Sequence, residues 1–177
     1  MKIAVIGSGG WGLAMAKCMA EQGHELMVWS HKPETTAMLR ENRGNPKLLR
    51  GVAIPEGIDF TDDIGCVAGC PIVVVAVPSF AVCETARKMK PHLAEGQVLV
   101  LLSKGFDLQN GCCLLSDTLV REVGKGCPVV ALTGPSHAEE VSRGVPTAVL
   151  ADLCQHCLLE IPEGGLGAEG CWMTVEK

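Results

Sequence analysis

The N-terminal stretch MKIAVIGSGGWG, residues 1–12, joins an apolar, β-branched run to three glycines spaced Gly-x-Gly-x-x-Gly. A helical apolar pattern follows, and then a second apolar run at Leu26–Trp29. In this context Gly7 permits a tight turn, Gly9 lets backbone approach a pyrophosphate, and Gly12 lets the helix pack closely on the strand. The free N–H groups and the dipole at the helix start favour phosphate charge. The stretch predicts a dinucleotide-binding unit, and the alternative is a glycine-rich turn that only packs.

Composition and charge narrow the class of protein. The chain has 177 residues, of which 47% are hydrophobic, so it is long and apolar enough for one well-buried domain. Its formal net charge of −5, without a basic stripe, argues against a nucleic-acid partner. The N-terminus lacks the pattern of a signal peptide, and no apolar run approaches the length that crosses a bilayer. We therefore expect a soluble, cytoplasmic protein.

The ten cysteines fit a reducing compartment better than a disulfide framework, because no secretion signal accompanies them. The segment Cys154-Gln155-His156-Cys157 has a spacing like that of metal ligands, with Cys171 as a distant additional candidate. A zinc site needs four well-placed ligands, and no second close pair exists in the sequence. No metal site is therefore predicted.

Short β-rich runs alternate with helix-length segments along the chain, which is typical of a parallel sheet covered by helices. The predicted strands are Lys2–Ile6, Glu25–Trp29, Ile58–Thr61, Pro71–Val77, Gln97–Leu102, Pro128–Leu132 and Thr147–Leu150. The predicted helices are Gly10–Gln22, Pro33–Asn42, Ser79–Lys90, Cys112–Val123 and Ser136–Arg143. We expect an α/β fold with a doubly wound, mostly parallel, Rossmann-like sheet and helices on both faces.

Local signals add detail to these elements. Ser79 is a plausible N-cap, and Ser136 with Glu139 has the spacing of a capping box. The stretch Arg43–Pro55 is predicted to be an exposed loop. The dinucleotide-binding domain is expected to span residues 1–151, and residues 152–177 are expected to form an irregular tail. Within the tail region, Ala151–Glu160 could form a short helix.

Residues that directly follow strands are the first candidates for ligand contacts, because ligands of open α/β sheets lie beyond the carboxyl ends of the strands. Ser30, His31 and Lys32 follow the second strand, and no acidic residue appears there before Glu34. An acidic residue would bind a ribose 2′-hydroxyl, whereas His31 and Lys32 suit a 2′-phosphate. NADP is thus at least as acceptable as NAD. The alternative is that both side chains only form a solvated turn.

Two later segments offer further candidates. Lys104 follows the strand ending at Leu102 and could pair with a phosphate or polarise a substrate oxygen, or it could be a surface lysine. The Gly134–Val141 segment begins with a Gly-Pro turn that opens a predicted helix, where backbone N–H groups and the Ser136 hydroxyl could hold an anion. The plainer interpretation of Ser136 is helix capping alone.

The chain contains, in this order, GSGGWG (7–12), EN (41–42), VAVPS (75–79), SKG (103–105), TGPSHAEEV (133–141) and GVPTAV (144–149). Together these motifs resemble those of the bacterial-type NAD(P)-dependent glycerol-3-phosphate dehydrogenases. The resemblance covers about residues 1–151. It implies reduction of dihydroxyacetone phosphate to sn-glycerol 3-phosphate, a step toward phospholipids, with NADP or NAD as cofactor.

The resemblance also implies roles for individual residues. The implied cofactor contacts are Gly10, Trp11, His31, Lys32, Lys104 and Ala138, and the implied substrate contacts are Lys104, Gly134 and Ser136. Gly10 stands where the family usually has serine, so a side-chain hydroxyl is missing there. The proton-transferring lysine and the usual homodimer interface belong to a second, largely helical domain in the family.

That helical domain has no counterpart in this sequence, because family members are about twice as long and residues 153–177 do not resemble it. A truncated or frame-shifted gene is the simplest expectation. Two alternatives to the family reaction follow. The chain could be an NAD(P)-binding module without turnover, or another reductase of the same architecture that acts on a different acid.

Overall fold

One sheet of eight strands organises the chain in the computed structural model, which describes residues 1–124 and 126–153 and the backbone of Cys171–Thr174. Its strands are β1 (Lys2–Ile6), β2 (Glu25–Trp29), β3 (Ile58–Thr61), β4 (Ile72–Val75), β5 (Val98–Leu101), β8 (Val129–Thr133), β9 (Ala148–Leu153) and β10 (Cys171–Thr174). A separate hairpin contains β6 (Phe106–Asp107) and β7 (Cys113–Leu114). The helices are α1 (Gly10–Glu21), α2 (Pro33–Asn42), α3 (Val82–Met89), α4 (Leu115–Val123) and α5 (Ala138–Ser142).

The strand order is β10-β9-β8-β5-β4-β1-β2-β3. The six strands from β3 to β8 in this order are parallel, whereas β9 pairs antiparallel with β8, and β10 pairs antiparallel with β9. The chain runs outward from β1 to β3 and then returns to the opposite side of β1 as β4. This reversal leaves a crevice at the carboxyl ends of β1 and β4. The predicted doubly wound, mostly parallel sheet is confirmed.

The hydrophobic core lies on both faces of the sheet because alternate side chains of each strand point to opposite faces. In β1, Ile3 and Val5 pack with α1, α2 and α5, whereas Ala4 and Ile6 pack with α3 and α4. All four of these side chains are buried. Continuously apolar runs such as Ile72–Val75 are what a strand covered on both faces requires.

Three predicted helix starts are wrong. Ser79–Ala81 is a 3-10 turn, α3 begins only at Val82, and Ser79 makes no side-chain cap. The predicted helix Cys112–Val123 begins only at Leu115, because Cys113 and Leu114 form strand β7. Cys112, directly before β7, has a φ of 57°, which is not helical. Ser136 lies before α5, where its hydroxyl donates to the Gly134 carbonyl at 3.4 Å, so the predicted capping box does not form.

The stretch Arg43–Pro55 is not simply an exposed loop. Leu49 and Ile54 are buried in the core on the α1 face, and Asn45 is 7% exposed. The Asn45 side-chain oxygen accepts the backbone N–H groups of Lys47 and Leu48, which fixes the turn. The sequence prediction missed this anchoring because the stretch has no helical or strand periodicity.

The C-terminal segment differs from its prediction where the structure describes it. Ala151–Leu153 belong to β9 rather than to a helix, and Cys171–Thr174 form β10 within the stretch that was predicted to be irregular. The Cys154–Cys157 segment lies outside the described residues. Among the residues that are described, no group of three His, Cys, Asp or Glu side chains could hold a metal ion.

An ion pair between α3 and α4 makes the stability of this domain sensitive to acid. The Glu122 carboxylate accepts from Arg87 Nε at 2.7 Å, and this hydrogen bond is the main cause that lowers the pKa of Glu122 to about 2. Because the folded-state pKa lies below the ordinary value of 4.5, the pair stabilises the fold above that value. Its contribution is lost as the pH falls toward about 2.

Urea unfolding of the wild-type chain and of Glu122→Gln tests this assignment across the acidic range. We expect the variant to be less stable near neutral pH, and the difference in free energy of unfolding to shrink as the pH falls through the window between the two pKa values. A difference that stays constant with pH would contradict the role given to this carboxylate.

Candidate functional site

A cavity of about 900 Å³ opens at the carboxyl ends of β1, β2, β4 and β5. The glycine turn after β1, the residues after β2 and the Val77-Pro78 segment after β4 form part of its wall. Lys104 after β5 and the Ser136–Ala138 segment complete the opposite side. The cavity thus occupies the crevice at which a doubly wound sheet binds its ligand.

Gly7 and Gly12 are required by close backbone packing. Gly7 has a φ of 125°, and a Cβ there would lie 2.5 Å from the Ala76 carbonyl oxygen. A Cβ on Gly12 would overlap the Gly7 carbonyl oxygen and come within 3.3 Å of the Ala76 Cβ. Gly12 is not itself part of the cavity wall. These two glycines let α1 begin directly against the ends of β1 and β4.

Gly9 and Gly10 have a different environment, because a Cβ at either position would make no contact shorter than 3.5 Å. A Cβ added to Gly9 would meet no heavy atom within 4 Å, and Gly9 lines the cavity. A Cβ on Gly10 would contact the Leu48 carbonyl oxygen at 3.5 Å and the Ala138 Cβ at 3.7 Å, both ordinary contacts. The first N–H groups of an α-helix have no acceptor within the helix, so the start of α1 offers donors to an anion.

The end of β2 supplies positive charge to the cavity. Ser30 is buried, with its N–H donated to the Thr61 carbonyl, and the exposed His31 and Lys32 follow it on the cavity wall. Lys32 precedes the first residue of α2, and Glu34 lies in the first turn of α2 without lining the cavity. The side chains that line the cavity directly after β2 are therefore basic rather than acidic.

Lys104 connects two walls of the cavity. The Ser103 hydroxyl donates to the Val77 carbonyl at 2.6 Å and so joins the ends of β4 and β5 directly before Lys104. The Lys104 ammonium donates to the Ser136 carbonyl at 2.9 Å and lies 5.7 Å from the ring centroid of Trp11. The fold thus brings together three predicted site residues that are far apart in sequence.

The Gly134–Val141 segment is only partly in the cavity. Ser136, which is 7% exposed, and Ala138 line it, whereas Gly134 does not. Gly134 has a φ of 154°, and a Cβ there would lie 2.7 Å from the Ala148 carbonyl oxygen. Close packing of this position against β9 therefore explains why the residue is glycine. Helix α5 has only five residues, so its dipole is a weak anion site.

Sequence reasoning missed one wall of the cavity. The turn Asn45–Leu48 lines it together with Thr35 and Met38 of α2, and it brings Lys47 to the same cavity as Lys32. The only available signal was the Asn-Pro pair that marks a turn. Nothing in the sequence indicated that this turn folds back toward the start of α1.

The charge of the cavity is opposite in sign to that of the chain. Three lysines and two histidines line it, and no aspartate or glutamate is present among the described lining residues. The chain as a whole has a formal net charge of −5. A region of positive charge on an acidic protein favours an anionic ligand, and phosphate groups match the lysines and free backbone N–H groups.

The described helices include none that is both long and apolar enough to cross a lipid bilayer. The sheet order, the glycine turn and the cavity at the switch point together define a dinucleotide-binding domain of the Rossmann class.

Comparison with known proteins identifies the family. Residues 2–156 match the family described as the N-terminus of NAD-dependent glycerol-3-phosphate dehydrogenase. The glycerol-3-phosphate dehydrogenase [NAD(P)+] of Moorella thermoacetica is 45% identical over 150 residues, and that of Chlorobium luteolum is 39% identical over 154. The chain belongs to the NAD-dependent glycerol-3-phosphate dehydrogenase family.

The matches cover most of this chain but less than half of each relative. They span 84% of the chain and 44% of the Moorella enzyme, and 85% of the chain and 46% of the Chlorobium enzyme. The crystal structure of glycerol-3-phosphate dehydrogenase from Coxiella burnetii superposes with a TM-score of 0.81 at 28% identity, covering 89% of this chain and 48% of that one. The chain therefore spans about half the length of the curated relatives that it matches.

Proposed function

We propose that this chain is the cofactor-binding half of an NAD(P)-dependent glycerol-3-phosphate dehydrogenase. The observation that supports the proposal most directly is the cavity at the switch point, which has cationic lining groups and joins the start of α1 to Lys104 and Ser136. The substrate in this proposal is dihydroxyacetone phosphate or, in the reverse direction, sn-glycerol 3-phosphate.

The dinucleotide lies across the crevice in this proposal. The pyrophosphate binds at the start of α1, where Gly9 leaves open space and the first N–H groups of the helix are free. His31 and Lys32 receive the adenosine end, and the absence of an acidic lining residue there favours a 2′-phosphate. Lys47 joins this group as a third cationic or titratable side chain. We therefore infer a preference for NADP over NAD.

The substrate phosphate takes the opposite end, near Lys104 and Ser136. Lysine is a point charge with three donors, and Lys104 donates one hydrogen to the Ser136 carbonyl. The other two remain for a phosphate or carbonyl oxygen of the substrate. Gly134 supports this turn through packing on β9 rather than through a direct contact.

The chemistry is divided between cofactor and protein. When bound, a reduced nicotinamide supplies a hydride to a carbonyl carbon. Lys104 stabilises negative charge on the substrate, and the apolar wall that includes Trp11 and Leu102 excludes water from one side of the cavity. Carbonyl reduction also requires a proton, and in our proposal the donor belongs to the helical half that family members possess.

A second candidate function is nucleotide binding without turnover. It is supported by the cavity itself, because the glycine turn and the lysines suit a dinucleotide, whereas we assign no proton donor among the described lining residues. In that case NADPH binds, but one side of the site remains open to water.

Mixing the chain with NADPH and dihydroxyacetone phosphate while following nicotinamide absorbance separates the two functions. Substrate-dependent oxidation that Lys104→Ala abolishes while the fold is retained would show turnover without the helical half and would favour the dehydrogenase activity. Binding of NADPH by thermal shift without any oxidation would favour the binding module. Turnover that is unchanged in Lys104→Ala would show that Lys104 is a surface residue without a role in substrate binding.

We further propose a cytoplasmic location and, for family members with both halves, a homodimer. The location is supported by the cysteines, since all seven in the described residues are free. Burial is the main cause that raises the pKa of the Cys66 thiol to about 12, so this thiol is an apolar packing group rather than a nucleophile.

A further inference from the structure

We infer that the Trp11 ring is a positioning element for the Lys104 ammonium, which it holds ready for the substrate phosphate. This inference rests on the proposed function for the identity of the ligand. It assigns Trp11 a task beyond its implied contact with the cofactor. Trp11 would act through Lys104 rather than on the reacting atoms.

Lys104 and Trp11 are in direct contact. The Lys104 Nζ lies 5.7 Å from the centroid of the Trp11 ring, which is within the range of a cation–π interaction. Tryptophan is the best of the aromatic side chains for such a contact. Lys104 is an exposed residue, so without this contact and the Ser136 carbonyl its side chain would sample many rotamers.

The Trp11 ring is held by packing rather than by a hydrogen bond. Trp11 is half-buried in the first turn of α1, and its Nε1 is buried without a hydrogen-bond partner in the described part of the chain. The indole N–H therefore does not determine the position of the ring. Packing against the core on the α1 face does so. Phenylalanine preserves an aromatic face and removes the unsatisfied donor, whereas leucine preserves bulk without an aromatic face.

Lys104 connects the two ends of the cavity. Trp11 belongs to the helix start that is proposed to hold the pyrophosphate, and Ser136 belongs to the segment proposed to hold the substrate. Lys104 contacts both. A cofactor that displaces the Trp11 ring would therefore also change the position of the Lys104 ammonium, which is proposed to bind the substrate. This arrangement links the cofactor end and the substrate end of one cavity.

Competitive acylation of lysines, followed by mass spectrometry, tests the positioning directly without any ligand or turnover. The ring and the Ser136 carbonyl restrain the Lys104 amine, so loss of the ring should raise its acylation rate. We expect an increase of about two- to fivefold in Trp11→Leu, the factor that corresponds to a partly exposed cation–π contact. Trp11→Phe should stay close to the wild-type rate, because it keeps an aromatic face.

Lys2 and Lys90 are internal references in the same digest, because both are exposed and neither lines the cavity, and their rates should not change. Equal Lys104 rates in all three proteins would overturn the inference, as would Trp11→Phe reacting as fast as Trp11→Leu. A higher acylation rate at every lysine would indicate that Trp11→Leu is partly unfolded. In that case the Lys104 rates of Trp11→Phe and Trp11→Tyr, compared with wild type, decide whether an aromatic ring restrains Lys104. If both aromatic variants also lose the restraint, the inference is wrong.

Repeating the labelling with dihydroxyacetone phosphate and NADPH examines the ligand separately. We expect the ligand to slow acylation of Lys104 in wild type and to do so less in Trp11→Leu. Ring-dependent labelling without any ligand protection would uphold the restraint and refute the substrate part of the proposed function. Ligand protection that is equal in wild type and Trp11→Leu would refute the positioning role while leaving the proposed function in place.

Discussion

Replacing Gly12 with alanine is expected to destabilise the domain by about 3 kcal/mol or more, because the added methyl group would overlap the Gly7 carbonyl oxygen. Both atoms belong to rigid parts of the fold, the first turn of α1 and the turn after β1. Helix α1 would have to move away from the sheet. Urea unfolding measures the loss, and nucleotide binding should disappear with the displaced helix start.

Gly9→Ala is the matched control for this experiment. Gly9 has a φ of −70°, which alanine adopts without strain, and its Cβ would meet no atom within 4 Å. We therefore expect normal stability but an affinity for NADPH reduced by at least about tenfold, the equivalent of one lost charge-assisted hydrogen bond. If Gly12→Ala were as stable as wild type, or if Gly9→Ala bound NADPH normally, the roles given to the two glycines would be wrong.

Lys32→Glu is the substitution expected to change cofactor preference most. A carboxylate at this position would repel a 2′-phosphate and could accept a ribose 2′-hydroxyl. We expect the affinity for NADPH to fall by about ten- to a hundredfold, the range of a lost charge-assisted contact, while that for NADH changes little or improves. Calorimetric titration with both nucleotides measures the two effects on one preparation.

Lys90→Glu controls for the change in net charge. Lys90 is exposed and does not line the cavity. The same charge reversal there should leave the affinities for both nucleotides nearly unchanged at physiological salt, because exposed charges that are well separated are screened. An equal loss of NADPH and NADH affinity in Lys32→Glu would refute the assignment of the 2′-phosphate to this end of the cavity.

The parts of the fold that could be predicted from the sequence are those in which local pattern and burial agree. The bounds of β1, β2, β3 and α2 match their predictions. Apolar runs mark β1 and β2, a weaker run marks β3, and a Pro at the helix start followed by an acidic residue marks α2. The glycine spacing placed the turn after β1 because its chemistry is local. The wall residues His31, Lys32 and Lys104 followed from one rule, that ligands lie beyond the carboxyl ends of strands.

The features that sequence reasoning missed depend on contacts between distant residues. The hairpin β6–β7 is stabilised by the Asp107 carboxylate, which accepts hydrogen bonds from Thr118 and Asn110. Strands of two residues are too short to show a periodic pattern in the sequence. Ser79 and Ser136 are residue types that favour helix N-caps, but each lies in a turn that precedes the first residue of the helix. Lys47 reached the cavity only because its turn is anchored by buried Asn45 and Leu49.

The central claim is that this chain binds NAD(P) by itself, in the cavity at the switch point. Isothermal titration of the 177-residue chain with NADPH tests it most directly, with circular dichroism to establish that the chain is folded. We predict saturable binding at one site per chain, weakened in Gly9→Ala and Lys32→Glu. A folded chain that gives no saturable heat with either NADPH or NADH would contradict the claim.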